Sequence, residues 1–137
     1  MKTTSFNPKK VSINWHIIDA NNQILGRVAS RIAQILTGKN KVEFTPNQVI
    51  SDKVVVINAS KLKVTGNKAQ DKIYYTHSNY PGGLKAQSYE KRMSKNPSKV
   101  LVDAVRGMLP INRLRDRRIV NLYVYEGETH PHGGQVK

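Results

Sequence analysis

The chain has 137 residues, including 23 lysines and arginines against 9 aspartates and glutamates, which gives a formal net charge of +14. Its length suits one domain with one hydrophobic core. The lack of cysteine excludes disulfides, thiolate zinc sites and cysteine nucleophiles, and no apolar run approaches the roughly 20 residues that span a bilayer. A chain this basic repels itself, so we expect a polyanionic partner whose phosphates neutralise its surface.

The first third of the chain predicts an arm, a strand and a helix. Residues 1–13 are basic and lack an apolar segment, whereas residues 15–20 form a short apolar stretch typical of a strand. A helix is predicted next, because apolar residues recur at the spacing of one helical face and stop before Gly38, a residue typical of a left-handed helix end. That face consists of Leu25, Val28, Ala29, Ile32, Ala33 and Leu36.

The middle of the chain predicts three strands. Residues 54–59 are an uninterrupted run rich in β-branched side chains, which indicates a strand covered on both faces, as in a parallel sheet. Residues 62–65 and 72–76 predict two further strands joined by a turn at Gly66-Asn67. Together these two strands would form a basic hairpin, followed by a loop at residues 80–83.

The last third predicts helices and a final strand. Two helices separated by Asn96-Pro97 are expected, the first capped by Ser88 and the second by Ser98. Asn112 is expected to cap a short basic helix, and residues 120–125 predict the last strand.

The order of these elements predicts an α/β protein. Strand, helix, strand, hairpin, helices and strand favour a single three-layer domain with a mostly parallel sheet. We expect residues 14–126 to form this domain, between the basic N-terminal arm of residues 1–13 and a polar tail of residues 127–137.

The densest basic cluster follows the predicted second helix of the C-terminal half. Four arginines fall within six positions, where only Asp116 offers local neutralisation. Because the planar guanidinium can bond two phosphate oxygens at once, we interpret this basic helical region as a phosphate-contacting surface rather than a solvated face. With one arginine from the preceding helix, its members are Arg106, Arg113, Arg115, Arg117 and Arg118.

A second basic cluster surrounds the predicted Gly66-Asn67 turn. Lysines at a hairpin tip can reach across an RNA backbone, but lysines also protect strand edges from unwanted pairing, and the sequence leaves both interpretations open. The lysines concerned are Lys61, Lys63, Lys68 and Lys72.

A third cluster combines aromatic residues with a glycine turn. The aromatic rings are candidates for stacking on unpaired bases, or equally for core and turn positions, and the glycines allow another backbone to approach closely. Its members are Tyr74, Tyr75, His77, Tyr80, Gly82, Gly83 and Lys85. We expect further RNA contacts from basic residues of the first helix, from lysines of the loop after it and from histidines of the tail. These residues are Arg27, Arg31, Lys39, Lys41, His130 and His132.

The sequence lacks the signatures of an enzyme. It contains neither a phosphate-binding loop nor a G-x-G-x-x-G pattern, and His130-Pro131-His132 offers two histidines without a third metal ligand. Asp19, Asp52 and Asp103 are expected to cap or to form ion pairs. We therefore expect no catalysis, cofactor, metal, small-molecule substrate or membrane partner; an α/β enzyme acting on nucleotides or RNA is the alternative.

A series of short motifs in a defined order spans about residues 14–132. They are Trp15–Ala20, Leu25–Ser30, Gly38–Lys41, Phe44–Pro46, Ile57–Ala59, Val64–Lys68, Asp71–Tyr75, His77-Ser78, Tyr80–Lys85, Val105–Pro110, Leu122–Gly127 and His130–His132. Through these motifs the chain resembles the bacterial-type large-subunit ribosomal protein thirteen family.

That resemblance implies a structural protein of the large ribosomal subunit without enzymatic activity. It implies binding to large-subunit ribosomal RNA early in assembly, contact with neighbouring large-subunit ribosomal proteins, and a three-layer α/β/α sandwich on a four-stranded parallel sheet. The expected location is a bacterial cytoplasmic ribosome, or an organellar one for an organelle-encoded copy.

The chain departs from this family pattern in three places, one of which is the tail, where Gly133-Gly134 stand in place of the two alanines frequent in the family. Asn47, Val49 and Ser51 stand where the family usually has a histidine, an acid and a glycine. After Pro110 the chain has Ile111 and Leu114-Arg115-Asp116 in place of the lysine and the Leu-Gly-Arg common in the family, and the lost glycine favours a continuous short helix.

Overall fold

A computed structural model of the chain describes residue 7 and residues 10–136. The predicted arm of residues 1–13 therefore falls largely outside the described residues. The strands are β1 (Trp15–Asp19), β2 (Lys53–Ile57), β3 (Ile73–His77), β4 (Leu84–Ser88) and β5 (Leu122–Val124). The helices are α1 (Leu25–Thr37), α2 (Lys68–Asp71), α3 (Tyr89–Lys95), α4 (Pro97–Met108) and α5 (Leu114–Ile119). No helix in this part of the chain is long and apolar enough to cross a membrane.

The main sheet consists of parallel strands with β2 at its centre. β2 pairs with β1 from Trp15↔Lys53 onward and with β5 from Val54↔Leu122 onward. The three consecutive valines of β2 are fully buried, which confirms the prediction of a strand covered on both faces. The α/β class with a mostly parallel sheet is thus confirmed; the described residues place three strands in this sheet and two in a separate hairpin.

One face of the sheet packs against α1 and α4. Side chains from alternate positions of the strands, such as Ile18 and Val56, join the buried faces of the two helices in a single core. α1 begins at Leu25 as predicted and ends at Gly38, whose φ of 82° is the left-handed conformation expected there. A Cβ at Gly38 would lie 2.5 Å from the carbonyl oxygen of Ile50, so glycine also permits this close backbone approach.

The hairpin is where the structure departs furthest from the sequence prediction. β3 pairs antiparallel with β4, so its tip lies at residues 78–83 and not at Gly66-Asn67. The predicted pairing of residues 62–65 with β3 is wrong, because Lys63 forms an isolated parallel bridge with Ile24, donating to Gln23 and accepting from Leu25. Gly66, with φ of 63°, then redirects the chain into the single turn of α2.

Of the three helix caps predicted in the C-terminal half, the first is confirmed, since the Ser88 hydroxyl caps α3 by accepting from the Lys91 N–H. Asn112 accepts from the Leu114 N–H, but the cap residue of α5 is Arg113 and not Asn112. The predicted Ser98 cap is wrong: Asn96 accepts from the Lys99 N–H at 3.0 Å and caps α4. With Pro97 as the first residue of α4, a position that proline favours, the cap has to precede it.

Candidate nucleic-acid interface

Basic residues predicted from the sequence lie at both ends of the seam between α1 and α4. Two open cavities of about 380 and 360 Å³ lie on this seam and share Met108. Lys68 and Lys72 line the first cavity beside the start of α1, and Lys39 lines the second at the end of α1. The seam therefore carries lysines near both ends of α1, which is 13 residues long.

The other basic residues predicted on α1 and around Gly66-Asn67 are exposed and lie outside these two cavities. Arg27 and Arg31 project from the polar face of α1, as its periodicity predicts. Lys61 ends a short 3-10 turn at Ala59–Lys61, and Lys63 follows it. The four lysines expected on a hairpin thus lie on the connection between β2 and β3, so none is at a hairpin tip, and Lys63 alone of the four takes part in a β-bridge, with Ile24.

The tip of the β3–β4 hairpin presents a tight turn flanked by aromatic rings. The Gly83 N–H donates to the Tyr80 carbonyl at 2.9 Å, and Gly82 has φ of 70°, as the third position of a type II turn requires after proline. A Cβ on Gly83 would overlap the Ser78 hydroxyl. Both glycines are therefore needed for the shape of the tip.

The aromatic residues of the hairpin divide between its two faces. Tyr74 is half-buried and packs against the core, whereas Tyr75 and Tyr80 are 63% and 74% exposed. His77 and Lys85 are exposed near the tip. Of the two interpretations of this cluster, a core position applies to Tyr74, and the exposed rings remain candidates for base stacking.

The arginines of α5 are not equivalent. Arg113 and Arg117 are exposed, and Arg106 on α4 pairs with Asp116 at 3.0 Å. Arg115 is half-buried, and its Nε has no hydrogen-bond partner among the described residues. The outward basic surface of this region is therefore smaller than the sequence predicts.

Arg118 is the clearest correction in the predicted interface. Its side chain is 1% exposed, and its guanidinium donates to the Gln48 carbonyl at 3.4 Å. Burial lowers the pKa of Arg118 below its usual value. The structure does not place Arg118 on the predicted phosphate-contacting surface, because α5 turns this side chain toward the loop before β2.

Lys41 is likewise turned inward. Its ammonium lies 2.5 Å from Oδ1 of Asp52, a carboxylate that is almost fully buried. Burial by itself raises the pKa of Asp52, but hydrogen bonds from Lys41, the Asn14 N–H and His16 outweigh it and hold the pKa below the usual value. Lys41 is thus part of a buried ion pair and does not present a free charge to an RNA backbone.

The other two aspartates singled out in the sequence also have structural partners. Asp19 accepts hydrogen bonds from the Asn58 amide and the Asn21 N–H, and these bonds, the one from Asn58 first, lower its pKa. Asp103 forms an ion pair with Arg92. The expectation that these carboxylates cap or pair is confirmed by their contacts.

The tail histidines lie on the second face of the main sheet. Trp15 and Tyr123 stack with their ring centroids 5.6 Å apart, and His132 packs on both rings. The two ring nitrogens of His132 lie within hydrogen-bond distance of the Tyr125 hydroxyl and the Gln135 side chain. His130 is half-buried beside Tyr125, so both histidines hold the tail against the sheet.

Sequence reasoning missed three cations near the junction of α3 and α4. Arg92, Lys95 and Lys99 line one cavity together with residues of the hairpin. Their spacing of three to four positions is the signal that could have found them, although Asn96-Pro97 divides them between two helices.

The surface charge is largely uncompensated. Among the described residues, the lysine and arginine side chains that lie within 4 Å of a carboxylate are Lys41, Arg92 and Arg106. The other described cations have no such partner, and no group of three or more metal-ligating side chains occurs among these residues. This arrangement suits the binding of an extended polyanion.

The family model for ribosomal protein L13 matches residues 13–131 of the chain. The chain belongs to the ribosomal protein L13 family. The match confirms the resemblance found in the ordered motifs, and it covers the folded domain from Ile13 to Pro131.

Curated bacterial relatives match this chain over nearly its whole length. The large ribosomal subunit protein uL13 of Herpetosiphon aurantiacus is 48% identical over 135 residues, covering 98% of this chain and 94% of the relative. The uL13 proteins of Rubrobacter xylanophilus and Azotobacter vinelandii are 46% and 48% identical, over 99% and 98% of this chain and 95% of each relative.

Proposed function

We propose that this L13-family chain is a structural protein of the large ribosomal subunit. It binds large-subunit ribosomal RNA and supports early assembly of the subunit, and it catalyses no reaction. The observation that carries the proposal is the set of exposed cations without carboxylate partners on a domain of this family, because such charge is best neutralised by phosphates.

The RNA-binding surface of the proposal is the exposed part of the predicted set. Its centres are the α1–α4 seam with Lys39, Lys68 and Lys72, the hairpin tip with Tyr80, and the outer side of α5 with Arg117. Cations at these places neutralise phosphates, while exposed rings stack on unpaired bases. Lys41 and Arg118 are left out of this surface because their charged groups are buried.

Neighbouring large-subunit ribosomal proteins are the proposed protein partners, and the bacterial cytoplasm is the proposed location, since the matched relatives are bacterial uL13 proteins.

Sedimentation of a cell lysate tests the function. We expect the protein to travel with large ribosomal subunits and to be released by high salt, because its contacts are mainly ionic. Recovery of the protein mainly in the free fraction at low salt would contradict the proposal.

A further inference from the structure

A cationic cavity opens where the β3–β4 hairpin meets the junction of α3 and α4. Its volume is about 360 Å³, within the range of roughly 300–1,000 Å³ common for ligand sites. The residues that line it are Thr76, Gln87, Arg92, Lys95, Asn96 and Lys99. None of them belongs to the interface assigned from the sequence.

The hairpin contributes the polar, uncharged wall of the cavity. Thr76 lies two residues after Tyr74 on β3, and Gln87 pairs with Tyr74 across the hairpin, so the three side chains share one face. Because Tyr74 packs against the core, this face is turned toward the body of the protein. The Thr76 hydroxyl and the Gln87 amide are thereby placed opposite the cations of the helices.

Arg92 is held in position before any ligand arrives. The centre of its guanidinium lies 4.3 Å from the centre of the Tyr74 ring, and one terminal nitrogen donates to Asp103. A guanidinium has five N–H donors in a planar fork, and no other hydrogen bond of this group is formed with the described residues. Arg92 therefore combines a restrained geometry with donors that are free to bind an anion.

Lys95 and Lys99 add charge that the protein does not neutralise. Both are exposed, and neither has a carboxylate within 4 Å among the described residues. Asn96 between them uses its carbonyl oxygen to accept from the Lys99 N–H, so its amide N–H₂ group remains as a donor. Since Asp103 compensates Arg92, the two ammonium groups leave the cavity cationic.

We propose that this cavity holds a phosphate group of the RNA backbone. The lining supplies ammonium, guanidinium, amide and hydroxyl donors and no carboxylate, which matches the oxygens of a phosphate and neither a metal cation nor an apolar ligand. The inference rests on the proposed function, because RNA is the source of the phosphate. It adds the α3–α4 junction to the RNA-binding surface.

Two single substitutions test the inference against a matched control. Lys95→Ala and Lys99→Ala each remove one charge from the cavity, and Lys91→Ala removes one charge from an exposed position of α3 that does not line it. We expect the cavity variants to bind large-subunit ribosomal RNA about tenfold more weakly than wild type, the lower end of the loss for a hydrogen bond to a charged group. Lys91→Ala should lose less than about twofold.

An uncharged substitution separates a defined site from general attraction. Gln87→Leu leaves the net charge unchanged and removes an amide from the cavity wall, so we expect a weaker but measurable loss of affinity. Circular dichroism confirms that each variant is folded. If wild-type protein binds the RNA and Lys95→Ala and Lys99→Ala bind no more weakly than Lys91→Ala, the cavity inference is overturned; if wild type does not bind, the proposed function itself fails.

Titration with inorganic phosphate distinguishes a backbone phosphate from a free anion. For RNA as the source, we expect the Lys95 and Lys99 amide resonances to shift with RNA and to respond only weakly, without saturation, to millimolar phosphate. Saturation by phosphate in wild type, together with unchanged RNA affinity in the Lys95→Ala and Lys99→Ala variants, would identify a small-anion site and overturn the assignment to RNA.

Discussion

Adjacent arginines on α5 lie in opposite environments. Arg117 is exposed, whereas the Arg118 guanidinium is buried, has an Nε without a partner among the described residues, and donates one long hydrogen bond to the Gln48 carbonyl. Removing a charge from water costs several kcal/mol unless close partners compensate it. We therefore infer that the volume of the Arg118 side chain contributes to packing, whereas its buried charge lowers the free energy of unfolding.

Replacing Arg118 separates its volume from its charge. Arg118→Met keeps most of the buried volume, so we expect the free energy of unfolding to stay the same or to rise by up to about 2 kcal/mol. Arg118→Ala leaves a cavity and is expected to lower it by roughly 2–3 kcal/mol. Urea denaturation measures both changes, with exposed Arg117→Ala as the control, for which we expect a change within about 0.5 kcal/mol. Equal stability of the alanine and methionine variants would contradict a packing role.

The buried Asp52 carboxylate joins three segments of the chain. It accepts hydrogen bonds from the Asn14 N–H and the His16 ring, and it pairs with Lys41. These bonds lower its pKa from the usual 3.8. Because the pKa is lower in the folded state than in the unfolded state, the stabilisation is complete above the unfolded value and is lost as pH falls through the folded value.

We therefore expect acid to weaken the protein through Asp52. The free energy of unfolding should fall as pH drops from about 5 to below 3.8, and Asp52→Asn should make this fall smaller. At neutral pH the same variant should lose roughly 3 kcal/mol, because Lys41 is left without its partner. The control is Asp71→Asn at an exposed position, and urea titrations at several pH values supply the measurement. An acid dependence identical in wild type and Asp52→Asn would refute this role.

At the scale of elements, local signals predict α1 and β2 and fail for the hairpin. The apolar spacing of α1 and the valine run of β2 are reliable signals because each element has buried residues along its whole length. The partner of β3 is instead decided by hydrogen bonds that the sequence does not display, since Lys63 is already bonded to the chain after β1. Pairing register, unlike periodicity, depends on contacts between distant segments.

The same limit applies to the candidate site. Exposed cations such as Arg27 and Arg31 are predictable, because their helix has one polar face. The buried environments of Lys41 and Arg118 are not, because they arise where the loop before β2 meets other segments of the chain. The family resemblance gives the class of partner, but it does not tell which basic side chains point outward.

A substitution at the hairpin tip tests whether the shape of its backbone affects RNA binding without changing the free energy of unfolding. Gly83→Ala would place a Cβ against the Ser78 hydroxyl and the Tyr80 carbonyl, so the tip must reorganise. The tip is exposed and lies outside the core, so we expect RNA affinity to fall severalfold while the free energy of unfolding changes by less than about 1 kcal/mol. Gly127→Ala, where a Cβ meets no atom within 4 Å, is the control. Unchanged RNA affinity in Gly83→Ala would remove the tip from the interface.

At the scale of the whole molecule, the net charge of +14 is spread over a fold with few ion pairs among its described residues. The acidic residues in those pairs serve structural contacts, such as that of Asp52 with Lys41 and that of Asp103 with Arg92. Few lysines and arginines of the described residues are therefore neutralised within the folded protein, and most of the positive charge remains on the surface for a partner. Such a protein gains its main electrostatic stabilisation on assembly with a polyanion.

This distribution predicts a steep dependence of RNA binding on salt. If six to ten phosphates are contacted, the logarithm of the affinity for large-subunit ribosomal RNA should fall with the logarithm of salt concentration at a slope of roughly −4 to −9. Replacing exposed Arg113 and Arg117 with alanine should make the slope shallower by about one unit for each phosphate that the variant no longer binds, whereas Arg118→Met should leave it unchanged because Arg118 is buried. Filter-binding titrations at several salt concentrations measure the slope. A flat response would show that the surface charge is not what binds, and a shallower slope in Arg118→Met would show that the buried arginine takes part in RNA binding.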